Sequence, residues 1–244
     1  MKFKYKIAVI TINKDCSKDL LKTVRSVDNQ VLKPNIHIIV TKKLERGIKK
    51  KIKENYRKFI IGKDTSIYNA MNIGLKKSWS YNTIFLNSGD IFFNNKSILK
   101  IKKNIEIYKK ALIFKTILQF KNNFYTPKLS FFKNNNYFSH PSFVRPSVIL
   151  NSDKIYFNEN KKISADTDWI KKNIRKFDLK KINMTMSRHF LGGISTNPTL
   201  LTLTIKLNES FNSFAKELLK FFLKNFLGQR KFYDVIYFFK YKKN

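Results

Sequence analysis

The amino-acid sequence predicts an α/β fold built on a mainly parallel sheet with helices on its flanks. Short apolar runs of strand length, rich in β-branched residues, alternate with segments whose apolar residues return every three or four positions. Such alternation is typical of parallel strands joined by right-handed helical crossovers. The 244 residues, of which 43% are hydrophobic, are enough for one sizeable domain and a short appendage.

The N-terminal part of the chain carries most of the predicted elements. Strands are predicted at residues 6–11, 35–41, 59–61 and 83–86. Helices are predicted at residues 17–29 and 67–77. Because ligands bind beyond the carboxyl ends of parallel strands, we expect Thr11, Asn13 and the turn Ser88-Gly89-Asp90 at a binding edge. Residues 91–139 are aromatic and rich in asparagine, and they give no clear pattern.

The charge of the chain indicates an anionic partner. The formal net charge is +34, with 50 Lys and Arg against 16 Asp and Glu. Such a field attracts nucleic acid, anionic lipid headgroups or phosphorylated substrates. Part of the excess is what an AT-rich coding sequence produces, since Lys, Asn, Ile and Phe are abundant. The sequence contains no recognised RNP-like strand, GXXG clamp or zinc finger, so we expect no nucleic-acid partner.

Cysteine content and hydropathy indicate the compartment. The single cysteine, Cys16, excludes an internal disulfide and fits a reducing compartment. The apolar stretch at residues 7–12 is too short for a signal peptide, and no stretch approaches the roughly 18 apolar residues of a membrane-spanning helix. We expect a cytoplasmic protein that is peripheral on the inner face of the cytoplasmic membrane.

Asp90 is the first candidate for chemistry. It follows a hydrophobic strand and the small Gly89, in a turn that would place its carboxylate at the edge of the sheet. A carboxylate there can hold a hard divalent cation, which in turn binds a diphosphate. The alternative is that Asp90 only caps a turn or a helix.

Asp166 and Asp168 form the second acidic site. A carboxylate in a cleft can take the proton from an attacking hydroxyl. The alternative is that one or both cap a helix that begins near Trp169.

The histidines and a glycine pair complete the candidates. His37 lies inside a predicted strand and is interpreted as structural. For His140 and His189 a structural role is the more common case. The backbone amides of Gly192-Gly193-Ile194-Ser195 could approach a phosphate, with an ordinary loop as the alternative.

Several short motifs follow one another in an informative order. They are residues 10–13 (ITIN), 23–30 (TVRSVDNQ), 64–74 (DTSIYNAMNIG), 85–90 (FLNSGD), 140–143 (HPSF), 166–168 (DTD) and 192–195 (GGIS). In this order they resemble family 2 glycosyltransferases with the GT-A fold, a Rossmann-like architecture. The branch they resemble most is that of colanic acid and other capsule or lipopolysaccharide enzymes. The resemblance covers most of residues 5–196.

The resemblance implies a nucleotide-sugar site at the carboxyl ends of the strands. Thr11 and Asn13 would line the nucleotide pocket, and Asp64 would contact uracil or ribose. Asn72 would help to shape the donor site. On family grounds UDP is the favoured nucleotide.

The resemblance also implies metal-assisted, inverting chemistry. Asp90 matches the last carboxylate of the family's metal-binding triplet and would hold Mn²⁺ or Mg²⁺, with Ser88 and Gly89 beside it at the donor. Asp166 matches the catalytic base, which would deprotonate an acceptor hydroxyl attacking in line with the departing diphosphate.

Three positions depart from the family pattern. Val40-Thr41-Lys42-Lys43 stands where an acidic residue is expected, which leaves Asp64 a larger share of nucleobase recognition. Ser88 occupies the first position of the metal triplet, as is normal for this branch, so Asp90 is the principal expected ligand. Ala165 replaces the Glu before the proposed base, which bears on acceptor selection.

Beyond Asn197-Pro198 the chain becomes helical, basic and aromatic. We therefore divide it into a GT-A catalytic domain at residues 1–196 and a basic amphipathic helical segment at residues 197–244. Apolar residues recur there at helical spacing, namely Phe211, Phe214, Leu218, Leu219 and Phe222. Such a helix either lies on an anionic membrane surface or packs as ordinary core, and the two interpretations weigh equally. The resemblance favours the membrane, because enzymes of this branch usually build on lipid-linked acceptors.

The predicted function is a hexosyltransferase-type glycosyltransferase. It would move a sugar from a nucleotide sugar to a surface-polysaccharide or lipid-linked saccharide acceptor. Two other classes stay open, a basic nucleic-acid-binding protein and a degenerate GT-A-like domain that only binds. Retention of Asp64, Asp90 and Asp166 argues against the degenerate domain.

Overall fold

The computed structural model describes residues 5–14, 17–62, 64–135, 137–148, 150, 153–192, 196–208 and 210–243, apart from the side chains of Ser17 and Arg46. Cys16, Gly193, Ile194 and Ser195 lie outside these ranges. In the part of the chain that is described, every helix is too short or too polar to cross a bilayer.

The secondary structure alternates strands and helices through most of the chain. In chain order the elements are β1 (Ile7–Asn13), α1 (Ser17–Asp28), β2 (Ile36–Thr41), α2 (Arg46–Lys51), β3 (Arg57–Ile61), α3 (Ile67–Lys76), β4 (Asn82–Phe85), β5 (Ile91–Phe92), α4 (Ser97–Tyr108), β6 (Ala111–Phe120), β7 (Asn123–Pro127), α5 (Leu129–Lys133), a 3₁₀ turn (His140–Ser142), β8 (Phe143–Arg145), α6 (Ala165–Phe177), β9 (Leu179–Phe190), α7 (Leu200–Leu207), α8 (Phe211–Tyr237) and β10 (Tyr241–Lys243).

These elements form two compact units. Unit 1 comprises Met1–Thr116, Phe138–Lys161 and Ala165–His189. Unit 2 comprises Ile117–Tyr137, Lys162–Ser164 and Phe190–Asn244.

Four parallel strands in the order β4-β1-β2-β3 form the centre of unit 1. Ile10 on β1 lies in register with Ile38 on β2 and with Phe85 on β4. β8 continues the sheet antiparallel to β4, the start of β6 pairs with β8, and β5 pairs with β9. The predicted α/β class is confirmed, with antiparallel strands added from the later part of the sequence.

The core of unit 1 explains the sequence pattern of its strands. β1 is buried along its whole length, so its sequence is a continuous apolar run instead of an alternating one. Helix α3 lies close against this strand at Gly74, where an added Cβ would stand 2.6 Å from a methyl carbon of Ile10. The glycine that ends the 64–74 motif is therefore required by packing.

One helix boundary differs from the prediction. Helix α6 begins at Ala165 and not near Trp169, so that Asp166 and Asp168 lie inside its first turn. Two carboxylates in the first turn interact favourably with the helix dipole, which supports the earlier start.

Unit 2 contains an antiparallel sheet and the C-terminal helices. The end of β6 pairs with β7, and β7 pairs with β10. Its core includes Tyr125, Phe232 and Tyr233. Helix α8 is interrupted at Gly228, whose φ is +73°. Phe232 and Tyr233 lie after this break, and four exposed apolar residues lie before it, namely Phe211, Leu219, Phe222 and Phe226.

Candidate active site

The turn Asn87-Ser88-Gly89-Asp90 follows β4 at the carboxyl edge of the parallel strands and is held there by α1. The Thr23 hydroxyl accepts from the Gly89 amide at 2.9 Å and donates toward the carbonyl oxygen of Asp90 at 2.7 Å. Gly89 has a φ of +100°, which favours glycine at this position. Thr23 belongs to the 23–30 motif, so that motif supports the turn that presents Asp90.

Asp90 contacts two histidines that come from distant parts of the chain. His189 Nδ1 lies 2.8 Å from one carboxylate oxygen of Asp90, and His140 Nε2 lies 3.6 Å from the other. One potential ligand atom from each residue lies within 4.8 Å of the other two. The Asp90 side chain is 5% exposed, so the cluster is enclosed. One oxygen and two imidazole nitrogens converge here, as in a metal site.

Asp166 joins this cluster through His140. Its carboxylate lies 3.2 Å from His140 Nδ1, on the opposite side of the ring from Asp90. The Asp166 side chain is 28% exposed, compared with 5% for Asp90. Asp166 can therefore meet a substrate hydroxyl from solvent. Asp168 is exposed and pairs with Lys161, so the structure separates the two acids of the motif.

The ionisation of these groups follows from their contacts. Burial would raise the pKa of Asp90, but the charge and hydrogen bond of His189 and the nearby His140 outweigh it and lower that pKa to about 2. Burial would lower the pKa of His140, but the hydrogen bond with Asp166 and the nearby Asp90 carboxylate raise it to about 9. For Asp166, the hydrogen bond from His140 likewise outweighs burial and lowers the pKa. The cluster thus pairs two carboxylates with a cationic imidazole.

Several buried oxygen atoms near the strand ends lack a hydrogen-bond partner among the described residues. They are Oδ1 of Asn13, Asp64 and Asn87, Oγ of Ser88 and Oδ2 of Asp90. Asn13 is the last residue of β1 and lies in register with Thr41, to which its side-chain amide donates at 3.1 Å. An unpaired buried polar atom costs about 1–3 kcal/mol. Oxygen atoms collected at one edge are consistent with a site completed by a polar ligand or a cation.

Two of the predicted donor-site residues have their side chains engaged within the protein. Thr11 is fully buried, and its hydroxyl contacts His37 Nε2 at 2.9 Å and donates to the Leu86 carbonyl at 2.8 Å. Asn72 is 3% exposed, and its amide bonds the backbone of Phe157. Their contact with a donor stays a prediction.

Sequence reasoning did not predict that His140 and His189 contact Asp90. Each was assigned the structural role that is more common for a single histidine, while the structure places both against Asp90. Their separations from Asp90 along the chain are 50 and 99 residues, which no local pattern reports. The order of the 140–143 motif after 85–90 is the one signal that pointed to His140.

The comparisons with known proteins concern the fold. The sheet topology of the chain is that of GT-A-like glycosyltransferases. No protein-family model matches the chain, and no curated protein matches it either.

Among solved structures, the chain is similar to S. aureus TarS. For TarS 1–349 in complex with UDP-GlcNAc, the TM-score is 0.66 at 16% identity, covering 93% of this chain and 74% of that one. For TarS 1–349 in complex with UDP, the TM-score is 0.63 at 16% identity, with 93% and 73% covered. For a longer TarS chain, the TM-score is 0.60 at 15% identity, with 93% and 44% covered. At this identity the similarity establishes the fold.

Proposed function

We propose that the protein is an inverting, metal-dependent glycosyltransferase that uses a nucleotide sugar, with UDP as the nucleotide. The observation that carries this proposal is the Asp90–His140–His189 cluster, joined to Asp166 at the carboxyl edge of a GT-A-like sheet. TarS structures that contain UDP and UDP-GlcNAc support the choice of donor. Membership of family 2, and of the capsule or lipopolysaccharide branch, belongs to this proposal.

The residues of the cluster fit a divalent cation. Oδ2 of Asp90 is buried and has no hydrogen-bond partner among the described residues, which leaves a coordination position. Asp90 and His189 would hold the ion together with His140, whose imidazole would lose its Nε2 proton on binding. The donor set suits Mn²⁺ better than Mg²⁺, because Mg²⁺ prefers oxygen ligands and two of these donors are imidazoles. When bound, such an ion neutralises charge that develops on a departing diphosphate.

The strand ends supply contacts for the donor. Asn13, Asp64, Ser88 and Gly89 would bind the nucleotide sugar. The unpaired oxygens of Asn13 and Asp64 can accept hydrogen bonds from a base or ribose, and Ser88 Oγ can donate to phosphate. Thr11 and Asn72 would stabilise this edge, Thr11 through its hydrogen bond to the Leu86 carbonyl and Asn72 through its hydrogen bond from the Phe157 amide.

Asp166 would act as the base. Its carboxylate takes the proton of the acceptor hydroxyl as that oxygen bonds to the anomeric carbon and the bond from this carbon to the diphosphate breaks. Attack opposite the leaving group inverts the anomeric configuration. His140 holds Asp166 in its ionised form, which is the form that can accept a proton.

The proposed acceptor is a saccharide of a surface polysaccharide, carried on lipid at the inner face of the cytoplasmic membrane. The support comes from α8, where Phe211, Leu219, Phe222 and Phe226 form one exposed stripe. Residues 197–244 carry nine Lys and Arg against three Asp and Glu. Exposed aromatic residues on a basic helix suit an anionic lipid surface.

Vesicle binding tests the membrane part. Phe222→Ser with Phe226→Ser should weaken binding to phosphatidylglycerol vesicles by at least about tenfold, because two exposed phenyl rings that would enter the lipid are lost. Ile107→Ser, which alters an equally exposed apolar residue on α4, serves as the matched control and should have no effect. Equal binding by the double variant and the control would contradict the membrane surface.

UDP release from UDP-GlcNAc, with water as acceptor, tests the enzymatic part. We expect release that requires Mn²⁺ and is abolished by a chelator. A thermal-shift panel of UDP, GDP and dTDP sugars with Mn²⁺ separates donors, since a bound ligand stabilises the native state. A degenerate binding domain would show stabilisation without release. The absence of both would refute the proposed function.

A further inference from the structure

The first turn of α6 carries Asp166 and begins in an unusual way. The helix starts at Ala165, and Ser164 directly before it has a φ of +64°. A typical N-cap residue has extended backbone, and its side chain accepts from an amide of the first turn. A residue with a Cβ is strained at positive φ, so its surroundings must hold it there. Some other group is therefore needed to order this turn.

Tyr68 of α3 supplies that group. The Ala165 amide donates to the phenolic oxygen at 3.2 Å. Tyr68 is 6% exposed, and its ring stacks on Phe157, which stacks on Trp169 with ring centroids 4.5 Å apart. Packing thus fixes the phenol at the start of α6.

Asn72, one turn along α3, holds the segment that leads into α6. Its amide donates to the Phe157 carbonyl at 3.0 Å and accepts from the Phe157 amide at 2.8 Å. The same amide donates to Glu159 at 2.7 Å. Helix α3 therefore orders both the segment that precedes α6 and the first turn of α6.

We infer that Tyr68 is a positioning residue for Asp166, with its phenolic oxygen acting as the N-cap acceptor of α6. The inference rests on the proposed function, in which Asp166 is the base. A catalytic carboxylate must be held to within about 0.5 Å of its productive position. Loss of the Tyr68 oxygen should free the turn and slow proton transfer, while donor binding at the strand ends stays intact.

Tyr68→Phe tests this role because it removes one oxygen and keeps the stacked ring. In Mn²⁺-dependent release of UDP from UDP-GlcNAc, kcat should fall at least about tenfold while KM changes less than about twofold. Tyr125→Phe is the matched control. It removes a hydroxyl that bonds Asp234 at 2.7 Å in unit 2, and it should leave kcat unchanged.

Amide hydrogen exchange separates this inference from the proposed function. In Tyr68→Phe the amides of residues 165–167 should exchange at least about tenfold faster than in the wild-type protein, and in Tyr125→Phe they should not. Unchanged exchange in Tyr68→Phe overturns the inference, and so does faster exchange with an unchanged kcat. A wild-type protein that releases no UDP refutes the proposed function, whereas the exchange rates still decide whether Tyr68 orders the turn.

Discussion

Two buried polar networks in unit 1 each contain a histidine, and they differ in whether their hydrogen bonds are complete. In the first, which we call the closed network, Thr11 donates to the Leu86 carbonyl, so its oxygen accepts from His37 Nε2. His37 Nδ1 then accepts from Arg57 at 3.2 Å, and Arg57 pairs with Asp28. Among the described residues, no buried side-chain atom of this network lacks a partner.

The second network, formed by Asp90, His140, His189 and Asp166, is open. Oδ2 of Asp90 is buried without a hydrogen-bond partner among the described residues, and Asp166 reaches solvent. The two networks also give His37 and His140 different charge states. Burial and the nearby Arg57 hold the pKa of His37 well below its usual value, whereas Asp166 and Asp90 raise that of His140 to about 9 against the effect of burial.

Burial alone therefore does not decide whether a histidine has a structural or a functional role. A neutral histidine with both nitrogens engaged and a guanidinium as neighbour stabilises the fold. A histidine between two carboxylates, one of them with a free buried oxygen, is arranged to exchange a proton or a cation. Four predictions, arranged in order of decreasing effect, test this distinction.

The largest effect is expected for Asp90→Asn. The substitution keeps the size of the side chain and removes the charge that would bind the cation, so UDP release should fall by about 10³-fold or more. Mn²⁺ binding, measured by isothermal titration calorimetry, should be lost. If a folded Asp90→Asn protein still binds Mn²⁺, the open network is not the cation site.

Asp166→Asn separates two roles of that carboxylate. If Asp166 is the base, release should fall about 10²- to 10³-fold with Mn²⁺ affinity unchanged, and this is the result we expect. If it only orients His140 as a ligand, Mn²⁺ affinity should fall about 10- to 100-fold. Asp168→Asn is the matched control, because Asp168 is exposed and pairs with Lys161. It should leave both quantities unchanged.

Thr23→Val tests the support of the open network. The variant keeps the shape of the side chain and removes the hydroxyl that binds Gly89 and Asp90. We expect a loss of about 1–3 kcal/mol in the free energy of unfolding, measured with urea, since a buried donor and acceptor lose their partner. Weaker Mn²⁺ binding should accompany it. Unchanged stability would show that the turn at residues 87–90 does not depend on the Thr23 hydroxyl.

The smallest effects are those of pH on stability, and the two histidines give opposite signs. Because the folded pKa of His37 is lowered, its contribution is present above about pH 6.5 and is lost as pH falls toward the folded pKa. Because the pKa of His140 is raised, its contribution is present below about pH 6.5 and is lost as pH rises toward about 9.

Urea midpoints over pH 5–9, measured without metal, check this prediction. His37→Gln should flatten the acid side of the profile, and His140→Gln should flatten the alkaline side. Each variant serves as the control for the other. If both variants flatten the same side of the profile, the assignment of a neutral His37 and a cationic His140 is wrong.

The sequence predicted β1 to β4, α1 and α3, because β1, β2 and β4 are buried on both faces and are short and rich in apolar residues. It did not predict α2, which lies in the basic stretch after β2. Nor did it predict β6, since this ten-residue strand lies within residues 91–139, which are aromatic, rich in asparagine and without a clear pattern. The start of α6 was missed because its cap comes from Tyr68, 97 residues away.

Within the site, the acids stood out in the sequence and the histidines did not. Asp90 and Asp166 were notable because only 16 acidic residues occur among 50 basic ones. His140 and His189 acquire their meaning from contacts with Asp90 that only the folded sheet creates. Local patterns report such long-range contacts poorly, and the motif order supplied the partial signal for His140.

The central claim is that the open network holds a divalent cation beside the donor diphosphate. Anomalous diffraction from a crystal soaked with Mn²⁺ and UDP tests it most directly. We expect one manganese peak within bonding distance of Asp90 and the two histidines, with the diphosphate bound to the side of the ion that faces away from these residues. A manganese ion bound by UDP and water alone, remote from residue 90, would contradict it.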